Sequence, residues 1–470
     1  MFIGRREQLA QLSSFLQRVR TEPFGKPGKA LLIRGRRRVG KSRLVEEFLE
    51  RADVPHVFFA ASGRPLREEL HLFAEEVAAS DLPGADLFKG VELTSWDAAL
   101  RLLASALPEE GSVVVLDEVP YLIEADEHFE GTLQRAFDRE LSKRRVLLIG
   151  IGSDLSMMEA LNAYGRPFHQ RASEMVVPPL SPAEVGALLD LAPADAFDAF
   201  LVTGGLPLVC AEWLRRASLW DYLRDAVATP TSALLVSAER SLAAEFPSDA
   251  QARDVLGVIG SGERTFTTIG RRSGAIAATS LSRSLKLLAA KRLVAVDEPL
   301  SARASKERRY RVSDPYLRFW LAFLGPHMNE IERGRGDRVL ARIRTSWTSW
   351  RGRAIEPVLR DALERLSPPV TRTLEDIPGV VGGYWTRTND PEIDIVVADR
   401  APVAKRILAV GSIKWLERAP FDRRDLGRLH AHRLQLPGAT VDTPLLAVSR
   451  SGCEVEGVTQ IGPDDLIGVA

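Results

Sequence analysis

The stretch "KALLIRGRRRVGKSRLVEEFLE", residues 29–50, decides the fold class of the first part of the chain. Residues 29–34 are mostly apolar and predict a buried strand. The loop that follows fits the pattern GxxxxGK[ST], and "SRLVEEFLE" continues with the spacing of an amphipathic helix. A strand, a glycine loop and a helix start in this order predict an α/β fold with a parallel sheet and a phosphate site.

The loop carries the groups that a nucleoside triphosphate needs. Gly35 and Gly40 let main-chain amides curl around the phosphates, and the helix start adds a positive dipole. Lys41 is expected to reach the β- and γ-phosphates, and Ser42 to ligate Mg²⁺. We therefore expect ATP and Mg²⁺ as cofactors; the alternative is a chance glycine loop before a helix. The predicted nucleotide contacts in the loop are Gly35, Arg36, Arg37, Arg38, Val39, Gly40, Lys41, Ser42 and Arg43.

An acidic strand end supplies the second half of such a site. In "GSVVVLDEVPYLI", residues 113–116 are uniformly apolar, as in a central parallel strand. Asp117 follows at the carboxyl end, where open α/β sheets bind ligands. We predict that Asp117 belongs to the Mg²⁺ shell and that Glu118 polarises the attacking water. A solvated loop acid is the alternative for Glu118.

A further apolar strand, "RRVLLIGIGSD", ends at Ser153 and Asp154. A γ-phosphate sensor is expected at such a strand end, beside the phosphate loop. The alternative is a helix N-cap, because "LSMMEALNAY" follows with helical spacing.

Composition limits which other classes of protein this chain can belong to. The chain has 63 basic and 63 acidic residues, so nucleic-acid binding would need a local patch. Its two cysteines and seven histidines have no metal-finger or disulfide-scaffold spacing, which fits a reducing cytoplasm. No apolar run is long enough for a membrane helix, and the start lacks a signal-peptide layout. We expect a cytoplasmic protein without a membrane partner.

The first half of the chain resembles the archaeal-type ATPases, a branch of the AAA-like and STAND-like P-loop proteins. The resemblance rests on "FIGRREQLAQL", the phosphate loop, "VVVLDEVPYL", "IGIGSDLSMMEAL" and "AYGRPF" in order. "VTGGLPLV" adds Gly205 and Pro207 where STAND ATPases have a turn that packs near adenine. The resemblance implies that Pro207 contacts the nucleotide and that Arg166 faces the γ-phosphate. A surface loop arginine is the alternative for Arg166.

The middle of the chain predicts a helical lid and a winged helix. Helical spacing dominates from residue 181, and residues 251–312 follow the order helix, helix, helix, strand, basic loop, strand. In a DNA-binding winged helix, Arg283 and Lys286 on the third helix would enter the major groove. Internal packing of the winged helix is the alternative. The loop cations that could contact phosphates are Arg303, Lys306, Arg308 and Arg309.

Acids and a lysine converge in the last part of the chain. "RGRAIEPVLRDALERL" predicts a short amphipathic helix that carries Glu356. "PEIDIVVADR" predicts a strand with Glu392 and Asp394 on one face. In "RILAVGSIKW", Ser412 and Lys414 share a face and are expected to approach Asp394 across paired strands.

This layout resembles the PD-(D/E)xK nuclease fold, and "YRVSDPYLRFWLAFL" resembles the segment that follows the winged helix in ATPases with a DUF234 C-terminal region. The resemblance implies that two acids hold Mg²⁺ while Lys414 positions water. Ser412 stands where the family has an acid, and a neutral hydroxyl adds no charge for a hard cation. We expect a degenerate site without cleavage; a solvent-reaching Lys414 is the alternative. The predicted site residues are Glu356, Glu392, Asp394, Ser412 and Lys414.

Together these features predict an ATP-hydrolysing switch that couples its nucleotide state to a DNA-binding region. An active ATP-gated nuclease and a STAND-like signalling switch without nucleic acid are the alternatives. The sequence leaves the oligomeric state open. The predicted domains are an ATPase core at 1–180, a helical lid at 181–245, a winged helix at 246–325, a helical linker at 326–345 and a nuclease-like domain at 346–470.

Overall fold

The computed structural model describes residues 2–22, 25–153, 155–161, 163–245, 250–262, 264–366 and 379–468. The chain divides into two compact units, residues 1–179 and 180–470. Each unit has its own five-stranded sheet. The finer division into five domains stays a prediction. Within the described ranges, no helix is both long and apolar enough to span a membrane.

The first unit is built on a parallel sheet. Its strands are β1 (Lys29–Arg34), β2 (His56–Ala60), β3 (Ser112–Asp117), β4 (Val146–Gly152) and β5 (Ala172–Val176). They lie in the order β2-β3-β4-β1-β5, and all neighbours are parallel. β3 and β4 are buried along their whole length, which explains their continuous apolar sequences. This order brings the carboxyl ends of β3, β4 and β1 next to one another.

Helices cover this sheet and enclose an aromatic core. The helices are α1 (Arg6–Thr21), α2 (Lys41–Ala52), α3 (Leu66–Ala79), α4 (Trp96–Ala106), α5 (Val119–Ala125), α6 (Phe129–Arg139) and α7 (Leu155–Leu161). Trp96 is 1% exposed and packs edge-on against Phe73 and Phe129, with ring centroids 5.3 Å apart in both pairs. The α/β fold predicted from the phosphate loop is confirmed.

The second unit begins with helices and one hairpin. The helices are α8 (Pro182–Leu189), α9 (Pro193–Thr203), α10 (Pro207–Cys210), α11 (Leu219–Ala228), α12 (Ala233–Glu245), α13 (Ala250–Gly260), α14 (Phe266–Arg272) and α15 (Ala278–Ala290). The hairpin strands β6 (Val294–Asp297) and β7 (Arg309–Val312) are antiparallel. Leu281, Leu285 and Leu288 of α15 are buried, whereas Arg283 and Lys286 on the same helix are exposed.

The helix that carries Glu356 is longer than the sequence predicts. After α16 (Pro315–Phe319) and α17 (Met328–Glu332), the 30-residue α18 runs from Gly336 to Arg365. The start predicted near residue 351 is therefore wrong, because the buried face continues upstream through Val339, Ile343 and Trp347.

The C-terminal sheet is mixed. Its strands are β8 (Val380–Trp385), β9 (Glu392–Ala398), β10 (Ile407–Lys414), β11 (Leu445–Ser449) and β12 (Thr459–Ile461), with helices α19 (Arg423–Gln435) and α20 (Pro463–Ile467). β9 pairs antiparallel with β8 and β10, while β10, β11 and β12 are parallel. Ile393 and Ile395 are buried while Glu392 and Asp394 are partly exposed, so the predicted alternation in β9 is confirmed. One core cluster joins this sheet to α9 and α18.

Replacing Gly205 with alanine is expected to destabilise the second unit by about 1–3 kcal/mol. Gly205 has φ +65°, and an added Cβ would lie 2.0 Å from the carbonyl oxygen of Leu180. Gly257→Ala is the matched control, because its added Cβ meets nothing within 4 Å and it lies inside α13. The control is expected to stabilise by roughly 0.5–1 kcal/mol. Denaturant unfolding of both variants measures the two free energies; equal effects would contradict this packing argument.

Candidate functional sites

The phosphate loop leads from β1 directly into α2. Arg38 has φ +69° and Gly40 has φ +85°, so the backbone turns through left-handed geometry just before the helix starts at Lys41. A buried residue that the sequence reasoning missed supports this loop: Arg5 is 4% exposed and donates from its guanidinium to the carbonyl of Val39 at 3.0 Å. The available signal was its place in "FIGRREQLAQL".

Lys41 is buried against the loop that precedes it. Its ammonium donates to the carbonyls of Gly35 and Arg36 at 3.0 and 3.1 Å and to Ser153 Oγ at 3.2 Å. Burial lowers the pKa of Lys41, and the nearby charges of Glu118 and Asp117 oppose that shift. These oxygens hold the ammonium where strand β4 ends beside the loop.

Asp117 at the end of β3 contacts Ser42 in the first turn of α2. Ser42 Oγ donates to Asp117 Oδ2 at 2.5 Å, and the amide of Glu118 donates to Oδ1 at 2.8 Å. Burial raises the pKa of Asp117, although both hydrogen bonds favour its charged form. A hydroxyl and a carboxylate held together present the hard oxygen ligands that Mg²⁺ prefers, so these two residues fit a magnesium site.

Ser153 connects Lys41 to Glu118. Ser153 Oγ donates to Glu118 Oε1 at 2.8 Å while it accepts from Lys41. Glu118 lies between the end of β3 and the start of α5, and its backbone has a left-handed φ of +53°. The structure therefore brings the five predicted residues Lys41, Ser42, Asp117, Glu118 and Ser153 into one cluster. Asp154, also predicted here, lies outside the described residues.

Three other predicted nucleotide contacts have different surroundings. Arg166 forms an ion pair with the buried Glu130 of α6 at 2.5 Å. Arg43 is half exposed and pairs with the acids of its own helix α2 at 3.0–3.2 Å. Pro207 lies in the second unit at the first position of α10. The nucleotide contacts of these residues stay predictions.

A separate polar cleft of about 530 Å³ lies within the second unit. Glu356, Asp394 and Ser412 line it, as do parts of α19. Asp394 Oδ2 accepts from Ser412 Oγ at 2.9 Å and from the amide of Ile413 at 2.8 Å. Burial raises the pKa of both Asp394 and Glu356. Glu356 also accepts from Arg360 at 3.0 Å.

Lys414 binds an acid that the sequence reasoning missed. Its ammonium forms an ion pair with Asp425 of α19 and lies 3.7 Å from Asp422. The expectation that Lys414 approaches Asp394 is therefore wrong in its partner, although Ser412 does contact Asp394. The signal was "DRRD" before α19, where Asp422 caps the helix and bonds the amide of Asp425 at 3.0 Å.

Glu392 is neutralised by two arginines from the segment that contains α13–β7. Arg309 donates to Glu392 at 2.6 Å and to Asn389 at 2.6 Å, and Arg264 lies 3.5 Å from Glu392. Burial alone would raise the pKa of Glu392, but these arginines hold it below its ordinary value. Arg309 is 8% exposed, so its predicted phosphate contact is wrong.

The other predicted loop cations differ from Arg309. Arg308 pairs with Glu298 at 2.8 Å. The side chains predicted to contact DNA are exposed, namely Arg283, Lys286, Arg303 and Lys306. In the described part of the chain, no group of three or more histidine, cysteine or acidic side chains is arranged to hold a metal ion. The described acids that line the C-terminal cleft are paired with donors.

Comparison with known families agrees with the geometry of the first unit. Residues 1–149 match the AAA ATPase domain family. The chain carries an AAA ATPase domain. Residues 320–426 match the DUF234 family, described as archaeal and bacterial proteins of unknown function. That second match spans Glu356, Asp394 and Lys414.

Individual proteins are similar to this chain over most of its length. An uncharacterized protein of Methanocaldococcus jannaschii is 23% identical over 432 residues, covering 91% of this chain and 90% of that protein. The Walker-type ATPase of Pyrococcus abyssi is 20% identical, with a TM-score of 0.47 over 68% of this chain and 96% of that one. The ORC2 protein of Aeropyrum pernix, in ADPNP–ADP complexes, is 14% identical, with a TM-score of 0.46 over 73% and 95%.

Replacing Asp394 with asparagine is expected to stabilise the protein at neutral pH. Both hydrogen bonds of Asp394 reach the same oxygen, so asparagine can keep them while it removes a buried charge. Because burial raises the pKa of Asp394 above its ordinary 3.8, its ionisation costs stability as the pH rises past that value. The gain in the variant should appear above about pH 4 and vanish below it.

Asp399→Asn is the matched control from the end of the same strand. Asp399 Oδ1 accepts from the amides of Lys405 and Arg406, and these bonds lower its pKa. Its charge therefore contributes stability above the unfolded pKa, and that contribution is lost as the pH falls through the folded pKa. Urea unfolding from pH 3 to pH 8 should give opposite signs for the two variants; the same sign at pH 7 would contradict the assignment.

Proposed function

We propose that this protein is an ATP-driven switch in which the AAA ATPase domain controls a DNA-binding C-terminal region. The observation that carries the proposal is the cluster at the ends of three adjacent strands, where Ser42 bonds Asp117 and Ser153 joins Lys41 to Glu118. Phosphate loop, acidic strand end and sensor-position serine are the parts that phosphoryl transfer requires.

Each residue of the cluster has a distinct proposed role. Ser42 and Asp117 would hold Mg²⁺, which neutralises charge on the phosphates when it is bound. When a phosphate binds, the ammonium of Lys41 exchanges its bonds to carbonyl oxygens for bonds to phosphate oxygens. It also gives up its hydrogen bond to Ser153. Ser153 keeps its bond to Glu118 and orients that carboxylate toward the attacking water. Phosphate binding therefore removes Lys41 as a hydrogen-bond partner of Ser153, the residue that orients the general base Glu118.

A buried ion-pair network supports coupling to the C-terminal region. Asp198 of α9 accepts from Arg351 at 2.8 Å and from Arg450 at 2.9 Å through the same oxygen. Arg351 is 0% exposed and also donates to the carbonyl of Trp415, which directly follows Lys414. Helix α9 ends at Thr203, just before the turn that contains Pro207. If ATP orders that turn, α9 transmits the change to the strand end that carries Lys414.

Two features favour binding DNA without cutting it. The exposed Arg283 and Lys286 lie on the polar face of the third helix of the proposed winged helix. In the nuclease-like cleft, Ser412 replaces an acid and Lys414 is already paired with Asp425. We therefore propose a winged helix and a degenerate nuclease-like domain as the DNA-binding parts. Metal-dependent cutting that disappears in Asp394→Ala would favour the active nuclease instead.

Lys41→Ala is expected to lose nucleotide binding, whereas Glu118→Gln should keep binding and lose turnover by about 10²-fold or more. Lys41 supplies the positive charge that binds the phosphates, whereas Glu118 acts only on the attacking water. Calorimetry with ATP and a phosphate-release assay measure the two effects separately. Glu124→Gln is the control, because Glu124 is exposed on the same helix, α5. Wild-type turnover in Lys41→Ala would overturn the proposal.

Arg450→Gln is expected to abolish the nucleotide dependence of DNA retention while ATP turnover persists. The side chain of Arg450 connects β11 to α9 through Ala194, Asp195 and Asp198 at 2.7–2.9 Å. Losing these charged hydrogen bonds should also cost about 1.5–3 kcal/mol of unfolding free energy.

The measurement for Arg450→Gln compares DNA affinity with ADP and with ATP in the Glu118→Gln background, which keeps ATP intact. Arg224→Gln is the control, since Arg224 forms surface ion pairs with Asp221 and Asp225 of its own helix. A difference between nucleotides that survives in Arg450→Gln would exclude this network as the connection. If the wild type binds no DNA in either state, the STAND-like switch without nucleic acid is favoured.

A further inference from the structure

The C-terminal cleft contains acids whose charges are already compensated inside the protein. Asp425 is paired with Lys414, and Glu392 with Arg309. Asp394 accepts two hydrogen bonds on one oxygen. A carboxylate with such partners repels an approaching anion less than an unpaired one would.

Two arginines of the same cleft have no such compensation. Arg353 of α18 and Arg428 of α19 both line the cavity, and both are exposed. Within the described residues, neither has a hydrogen bond or an ion pair through its side chain, whereas Arg360 and Arg309 are bound to acids nearby. The unused donors of this cleft are therefore guanidinium groups, which favour a phosphate ligand and can bind it through two hydrogen bonds.

The shape and lining favour a phosphate chain over a single nucleotide. The cavity volume of 530 Å³ far exceeds one phosphate, and His432 is the one aromatic side chain among the described residues that line it. Arg264, which also lines the cleft, comes from the helical segment that carries the exposed Arg283 and Lys286. A ligand with charges repeated every few ångströms can contact several of these cations at once.

We propose that Arg353 and Arg428 bind the sugar-phosphate backbone of a nucleic acid strand across this cleft, which retains the strand without cutting it. This inference rests on the nucleic-acid part of the proposed function and does not require ATP turnover. It assigns strand retention to the C-terminal cleft, separately from base contacts by the exposed face of α15.

The test is the salt dependence of single-stranded oligonucleotide binding by the double variant Arg353→Glu/Arg428→Glu in the full chain. Losing two phosphate contacts should reduce the slope of log K against log salt by about 1.4, which corresponds to roughly 25-fold weaker binding at 0.1 M salt. Arg240→Glu/Arg338→Glu is the matched control with the same change in charge. Both control residues are exposed and lie outside the cleft, and Arg338 shares α18 with Arg353.

Each outcome distinguishes a different explanation. An unchanged slope in the cleft variant, or an equal loss in the control, overturns the proposal. Inorganic phosphate or adenosine monophosphate that displaces the oligonucleotide at millimolar concentration and constant ionic strength also overturns it, by showing a small-anion site. Arg353→Gln/Arg428→Gln, which loses the same two contacts without adding negative charge, should also reduce the slope by about 1.4, with a normal thermal unfolding curve.

ATP turnover of the wild type is measured in the same preparation. Retention that depends on these arginines without turnover would contradict the ATPase switch and support the cleft. Turnover without such retention would contradict the cleft alone.

Discussion

The hydrogen bond between Ser42 and Asp117 joins the start of α2 to the end of β3, and the candidate nucleotide site depends on this contact. It is formed by a carboxylate that is 6% exposed, beside a lysine that is 5% exposed. Burial acts on both charges in opposite directions, raising the pKa of Asp117 and lowering that of Lys41. Buried charges without full compensation cost stability, so this sheet edge is a candidate site for a charged ligand. A phosphate opposite Lys41 and a cation beside Asp117 would each supply the missing partner.

Asp198 is a buried carboxylate in the second unit, and partners within the protein compensate its charge. Two arginines and the indole N–H of Trp415 satisfy its carboxylate. Such a network is costly to break one partner at a time, so it ties α9 to the C-terminal sheet. The proposed coupling requires this attachment, because a helix that could slide over the sheet would not transmit a change at one of its ends.

The local patterns in the sequence predicted the ATPase half well, because strand, loop and helix are encoded within the 22 residues from Lys29 to Glu50. Ser153 and Glu118 were also predictable, since parallel strands bring their carboxyl ends together. The sequence could not show that Arg309 is buried against Glu392, or that Lys414 pairs with Asp425. Both contacts join elements whose mutual orientation depends on tertiary packing. The start of α18 was misplaced because exposed arginines and serines between its apolar positions weakened the helical pattern.

Each acid that lines the C-terminal cleft has a hydrogen-bond donor within the protein. Ser412 donates to Asp394, as Ser42 does to Asp117 in the first unit. Lys414 pairs with Asp425 of α19. These partners satisfy the acceptors within the protein itself, and this lowers the cost of burial. The proposed phosphate contacts come from helices that also carry acids of the cleft, because Arg353 shares α18 with Glu356 and Arg428 shares α19 with Asp425. The proposal of strand retention therefore requires that these two acids keep their partners within the protein, Arg360 and Lys414.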